Sequence, residues 1–113
     1  MTLIHPEHRD RAVTAELLVD TGAFSSLLPA EIVEQLGLET EADFEGVLAS
    51  GEPVFYRQGE VRIRIGGRER TTGFVAGPPG CLRLLGGLTL EQFALAADPR
   101  NPRLVSTRPL GHV

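Results

Sequence analysis

Leu17-Leu18-Val19-Asp20-Thr21-Gly22-Ala23 is the stretch of this 113-residue chain in which residue types and their order together suggest chemistry. A carboxylate follows directly on three large apolar residues. If those three are core, Asp20 stands at the mouth of a hydrophobic interior, where a carboxylate must be hydrogen-bonded, paired or protonated. Thr21 adds a hydroxyl, and Gly22 lets backbone or a ligand approach closely. A group of this kind suits general acid–base work. A plain Asx turn ending a strand fits the same residues, and the tripeptide alone does not choose between the two.

Other chemistries lack their residues. There is no GxxxxGK[ST] phosphate loop and no GxGxxG after a strand. His5-Pro6-Glu7-His8 is a short histidine pair in a terminus expected to fray, and with one further His and one Cys a closed zinc site has no ligand set. No metal and no cofactor is expected. Cys81 lies between a Pro-Gly turn and a strand and reads as an inert buried thiol. No His in the middle of the chain is placed to activate it, and a Ser-His-Asp triad fails for the same reason.

The elements that would position Asp20 follow from pattern. Ala12–Val19 reads as a strand running into the Asp20–Ala23 turn. Pro29–Gly37 reads as a short helix, with Pro29 at its first position, Glu31 near the positive end of the dipole, Gly37 as the stop, and Ile32, Val33 and Leu36 as its apolar face. Residues 38–46 are acidic and expected to loop. Val47–Ala49 and Pro53–Arg57 flank a hairpin tip at Ser50-Gly51. Glu60–Ile65 alternates cleanly, with Val61, Ile63 and Ile65 inward and Arg62 and Arg64 outward. Gly66-Gly67 turns the chain into a strand over Arg70–Ala76, which Gly77–Gly80 breaks. Leu82–Leu85 is a further strand. Thr89 and Gln92 have capping-box spacing and suggest a second short helix starting there. Ala94–Ala97 and Leu104–Thr107 close the chain as strands around an Asp98–Pro102 turn, with about residues 1–10 and 108–113 loose. Seven or eight short strands and two short helices make a mainly β domain, closed or nearly so.

Composition sets the bounds. The length suits one domain, and 42% apolar residues suffice for a core. The apolar runs are too short to span a membrane, and the N-terminus lacks a signal-peptide pattern, so a cytoplasmic protein with no membrane partner is expected. A single Cys excludes an internal disulfide framework. Residues 1–56 carry a net charge of −9 and residues 57–113 a net of +5, every basic residue being Arg. The arginines alternate with apolar residues or punctuate turns and form no continuous stripe, so no nucleic-acid partner is expected.

In its order of blocks the chain resembles the retropepsin-like aspartic proteases, the retroviral proteases and their small bacterial relatives. The first matching block is LLVDTGAFSSLLP, Leu17–Pro29, followed by the helix AEIVEQLGL. The second is Leu84-Leu85-Gly86 followed by LTLEQFAL, about 65 residues later. Between them lie the Ser50-Gly51 hairpin and EVRIRIGGRERTTGFVAGP. The likeness covers about residues 12–107 and implies a single such domain over residues 1–113, a closed β-barrel with one or two short helices.

The resemblance also implies a mechanism. Such enzymes need two aspartates from two similar lobes, and this chain has one DTG. It therefore implies an aspartic endopeptidase active as a homodimer, with one Asp20 from each subunit and an extended peptide or protein as substrate. Thr21 would lock the two loops together. Gly22 would accept a bond from substrate backbone, Ala23 would keep the wall beside the substrate small, and Phe24 would stand near it. Ala49, Ser50 and Gly51 would form a flap over the peptide. Leu84, Leu85 and Gly86 would pack behind the site as structure. Two departures stand out. Phe24 and Gly87 occupy places where many retroviral members hold an acid and an Arg, so that ion pair is absent, and the flap tip has a single glycine. The alternative within the same fold is a non-catalytic peptide-binding or dimerisation module.

Overall fold

In the computed structural model the described residues are 1–97 and 104–106. The elements run β1 (Thr2–Ile4), β2 (Ala12–Thr14), β3 (Leu18–Asp20), β4 (Ser26–Pro29), α1 (Ala30–Leu36), β5 (Glu41–Val47), β6 (Pro53–Ile65), β7 (Arg68–Gly77), β8 (Leu84–Gly86), α2 (Gly87–Phe93), β9 (Leu95–Ala97) and β10 (Leu104–Ser106). Eight strands form one sheet in the order β2-β1-β6-β7-β4-β8-β3, with β5 paired to the first half of β6, while β9 and β10 make a separate antiparallel pair. The sheet curls into a half-barrel whose end strands, β2 and β3, do not pair with each other. The mainly β domain is as expected, with the sheet a half-barrel rather than a closed barrel. No helix among the described residues is long and apolar enough to cross a membrane.

The frame is the long β6–β7 hairpin, in register from Ile65 opposite Arg68 to Arg57 opposite Ala76. The alternation read from the sequence holds there: Val61 and Ile63 are fully buried and Ile65 packs against the core from its edge. Phe74, Leu85, Leu90 and Phe93 complete the interior beneath α2, and Leu28, Ile32 and Leu36 do so beneath α1. Pro29 is the residue just before α1, still extended at ψ 157°, and Gly37 ends the helix in the left-handed region at φ +65°.

Five expectations change. Residues 1–10 are not a loose tail. Leu3 and Ile4 are buried in β1, which pairs with β2 on one side and β6 on the other. His5 is buried, and its Nδ1 accepts the N–H groups of Glu7 and His8, which shapes the turn to β2. Ala12–Val19 is two short strands, because Ala15 and Leu17 turn into the core between them. The acidic stretch at 38–46 contributes β5 rather than a loop. Arg57 donates to the hydroxyl and carbonyl of Thr40, just before β5, and Tyr56 and Gln58 donate to Asp43, so polar bonds across the strands add to the pairing. Finally, α2 starts at Gly87 with Gly86 before it and no side-chain cap, so Thr89 lies inside the helix. Leu82, expected in β8, is outside it and exposed. The Asp98–Pro102 turn and residues 108–113 lie outside the described residues.

The outward arginines of β6 converge on one acid. Glu69 faces Arg64 across the hairpin and takes bonds from Arg64 at 2.7 Å, Arg9 at 2.9 Å and Arg62 at 3.0 Å. Hydrogen bonds from these three guanidinium groups, Arg9 first, hold its carboxyl well below the ordinary value of 4.5. A carboxylate depressed on folding stabilises above its unfolded value, and that contribution fades as pH falls toward the folded one. Glu69→Gln is therefore expected to lower the melting temperature at neutral pH, with the gap to wild type closing on acidification below about 4. Thermal melts from pH 7 to pH 2 check this. A gap that widens in acid contradicts it.

Candidate active site

β3 and β8 lie parallel, with Leu18 opposite Leu84, Val19 opposite Leu85 and Asp20 opposite Gly86. This register puts the last residue of β3 beside the junction where β8 becomes α2. Asp20 is half-buried, Thr21 and Gly22 are exposed, and Ala23 is half-buried. The chain turns tightly here: the Gly22 N–H donates to Asp20 Oδ1 at 3.0 Å and the Ala23 N–H to the Asp20 carbonyl at 3.1 Å. The Asx turn weighed against a catalytic role is thus present, and it anchors one carboxylate oxygen. Oδ2 takes no hydrogen bond from the described residues, and no basic side chain among them lies at ion-pair distance from Asp20.

The condition that all three residues before Asp20 be core is met at Leu17 alone. Leu17 is buried, but Leu18 is 59% and Val19 37% exposed. The reason is topological: β3 is the end strand of the sheet, so little lies beyond it to cover these side chains. Phe24, on the other side of the loop, is 73% exposed. Asp20 is thus flanked by uncovered apolar surface rather than by a finished interior.

The loop is fastened to the start of α2. The Gly87 N–H donates to the Ala23 carbonyl at 2.7 Å and the Leu88 N–H to the Phe24 carbonyl at 3.0 Å, so amides that a helix leaves free at its first turn are taken up by the loop. The Gly86 N–H donates to Ser26 Oγ at 3.0 Å. Gly86 also touches main chain directly, since an added Cβ would fall on the carbonyl group of Ser25 and 2.8 Å from Ser26 N. Leu84 and Leu85 lie behind the loop, half-buried and buried. Ser26 was not singled out from the sequence. A serine in a short apolar strand carries no spacing signal, and its partner is distant along the chain.

Ala49, Ser50 and Gly51 sit at the exposed tip of the β5–β6 hairpin, where the Gly51 N–H donates to the Leu48 carbonyl at 2.8 Å and the Leu48 N–H to the Glu52 carbonyl at 2.9 Å. Val47 and Leu48 beside the tip are also exposed. Cys81 is half-buried, and burial first, then the Glu31 charge, pushes its thiol up, away from the reactive thiolate. Among the described residues no group of three or more His, Cys, Asp or Glu is placed to hold a metal ion.

Comparison with known proteins adds to this geometry. The family model described as Aspartyl protease matches residues 8–91. Among solved structures, the protease of EIAV in complex with the inhibitor HBY-793 superposes with a TM-score of 0.51 at 24% identity, over 68% of this chain and 74% of that one. No curated protein matches. At that identity the superposition speaks for the fold, a curled mainly β sheet with two short helices, of retropepsin-like form. The family match spans the Asp20 loop, the β5–β6 hairpin and the β8–α2 junction, and on that ground the chain belongs to the aspartyl protease family, in its retropepsin-like branch.

Proposed function

We propose that the chain is an aspartic endopeptidase active as a homodimer, with the two Asp20 carboxylates meeting across a two-fold axis. One observation carries this reading. Asp20 has one oxygen anchored by the Gly22 N–H and the other without a hydrogen bond from the described residues, at the end of an edge strand bordered by exposed Leu18, Val19 and Phe24. A second copy laid on that edge would bring the carboxylates together and cover the apolar surface in one step. Thr21, exposed beside Asp20, would face its twin across the same axis.

In that arrangement the two carboxylates share one proton, as close like charges do. The ionised member takes a proton from the water between them as its oxygen attacks the peptide carbonyl. The protonated member gives its proton to the carbonyl oxygen. The tetrahedral intermediate then collapses, the C–N bond breaks, and a proton passes to the leaving nitrogen. The Gly22 carbonyl and the small Ala23 side chain would line an extended peptide, and Ala49, Ser50 and Gly51 would close over it from the hairpin tip.

Phe24 stands where many retroviral members hold an acid, so the wall near the cut is apolar here. The site should favour Leu, Phe and Met beside the scissile bond, at about 1.5–3 kcal/mol for each side chain fully buried. Cleavage-site profiling of an unstructured protein from acid to neutral pH, with and without pepstatin, tests the reading. The expected result is pepstatin-sensitive cleavage next to apolar residues, strongest in acid and declining as the shared proton is lost. No cleavage at any pH contradicts the enzymatic reading and favours a binding module. Charged residues flanking the cut contradict the apolar wall.

A further inference from the structure

Three buried hydroxyls form a chain behind the Asp20 loop. Ser26, Thr72 and Thr89 are 1%, 2% and 0% exposed, and they come from β4, β7 and α2. Thr89 Oγ1 lies 2.8 Å from Ser26 Oγ and 2.9 Å from Thr72 Oγ1. Ser26 Oγ is also the acceptor for the Gly86 N–H, and Gly86 is the residue paired with Asp20. Because Ser26 accepts there, its own proton is free to go to Thr89, which can donate in turn to Thr72. Donors pointing one way along a dry chain strengthen each other.

This is an expensive way to fill a core. Buried hydroxyls cost free energy unless bonded, and a β-branched residue inside a helix is a mild handicap. What the chain provides is direction. An apolar side chain at position 89 would fill the space but would not fix where the Ser26 hydroxyl points. The Ser26 hydroxyl is what the Gly86 amide holds, and the next two amides, of Gly87 and Leu88, hold the Ala23 and Phe24 carbonyls. Three successive amides at the β8–α2 junction thus hold the loop and the start of β4 that follows it, and Thr89 is the side chain that orients the Ser26 contact.

We propose that Thr89 is a positioning residue for the Asp20 carboxylate, acting through Ser26 and the backbone of Gly86. It rests on the reading of Asp20 as the catalytic group. Thr89→Val keeps the shape and removes both bonds, so the loop keeps its fold but loses its fixed height. Small misplacements of this kind cost up to about a hundredfold in rate.

The test uses the full chain in wild type, Thr89→Val, Thr89→Ser and Thr72→Val forms. It measures kcat and KM on an apolar peptide, well below the melting temperature, and amide hydrogen exchange at Gly86. Thr89→Val is expected to lower kcat about ten- to hundredfold with KM little changed and to speed exchange at Gly86. Thr89→Ser should restore both, and Thr72→Val, one bond further out, should do less than Thr89→Val. Wild-type kcat in Thr89→Val overturns the proposal, as does a Thr89→Ser form as slow as Thr89→Val. Should Thr89→Val fail to fold, Ser26→Ala takes its place: the same fall in kcat supports the proposal and an unchanged kcat overturns it. If the wild type itself cleaves nothing, the reading of Asp20 fails separately. The positioning claim is then decided by Gly86 exchange, and equal protection in wild type and Thr89→Val overturns it.

Discussion

Asp20→Asn is expected to abolish peptide cleavage while leaving the protein folded. The amide is almost the same shape as the carboxylate, and its oxygen can still accept the Gly22 N–H that Asp20 Oδ1 accepts at 3.0 Å. The turn therefore keeps its hydrogen bond. What goes is the ability to take a proton from water, and in the proposed dimer both copies lose it together. General acid–base assistance is worth about 10²–10⁴-fold, so the residual rate should fall at least that far. In the proposed dimer two facing carboxylates and their repulsion would go too, so it should hold as well or better. Purified Asp20→Asn, assayed beside wild type with a melting curve for each, checks this. Cleavage at the wild-type rate would show that the chemistry is elsewhere.

Gly86→Ala should have the largest effect on stability of any single methyl added near the site. The new Cβ would meet the Ser25 carbonyl, with its oxygen at 2.5 Å and Ser26 N at 2.8 Å. These are main-chain atoms of β4 and its approach, and no side-chain rotation relieves them. Overpacking of a core costs about 1–3 kcal/mol, occasionally more, and a clash against backbone belongs at or above the upper end. Against a typical total of about 5–15 kcal/mol this is severe. Gly73→Ala is the control, since there the nearest atom to a new Cβ is the Gly59 carbonyl oxygen at 3.9 Å. Urea unfolding of the two variants should show Gly86→Ala strongly destabilised or unfolded and Gly73→Ala close to wild type. Equal midpoints would mean that the β8–β4 contact yields more easily than its geometry implies.

Much of this was legible in the sequence because it is local. The two-residue alternation at Val61–Ile65 is a property of the strand itself, and Pro29 and Gly37 bracket α1 by backbone preferences that need no tertiary contact. The Asp20 block and Leu84-Leu85-Gly86 could be matched by order and spacing, and the fold sets them side by side in β3 and β8. The features that were missed depend on partners far along the chain. β1 is three residues long, and its burial comes from β6, some sixty residues away in register. β5 is acidic, and its pairing depends on β6, where Tyr56 and Gln58 donate to Asp43 and Phe55 stands opposite Phe44. The exposure of Leu18 and Val19 follows from β3 being at the sheet's end, which no local pattern announces. Thr89 misled because T-x-x-Q fits a cap, yet its hydroxyl is bound to Ser26 and Thr72 within the core.

The central claim is that one active site takes an Asp20 from each of two chains. Mixing wild type with Asp20→Asn, co-refolded so that subunits exchange, tests it most directly. If both carboxylates are needed, cleavage falls as the square of the wild-type fraction, and an equal mixture retains roughly a quarter of the activity. If each chain works alone, the same mixture retains roughly half, and a linear fall of that kind would contradict the account.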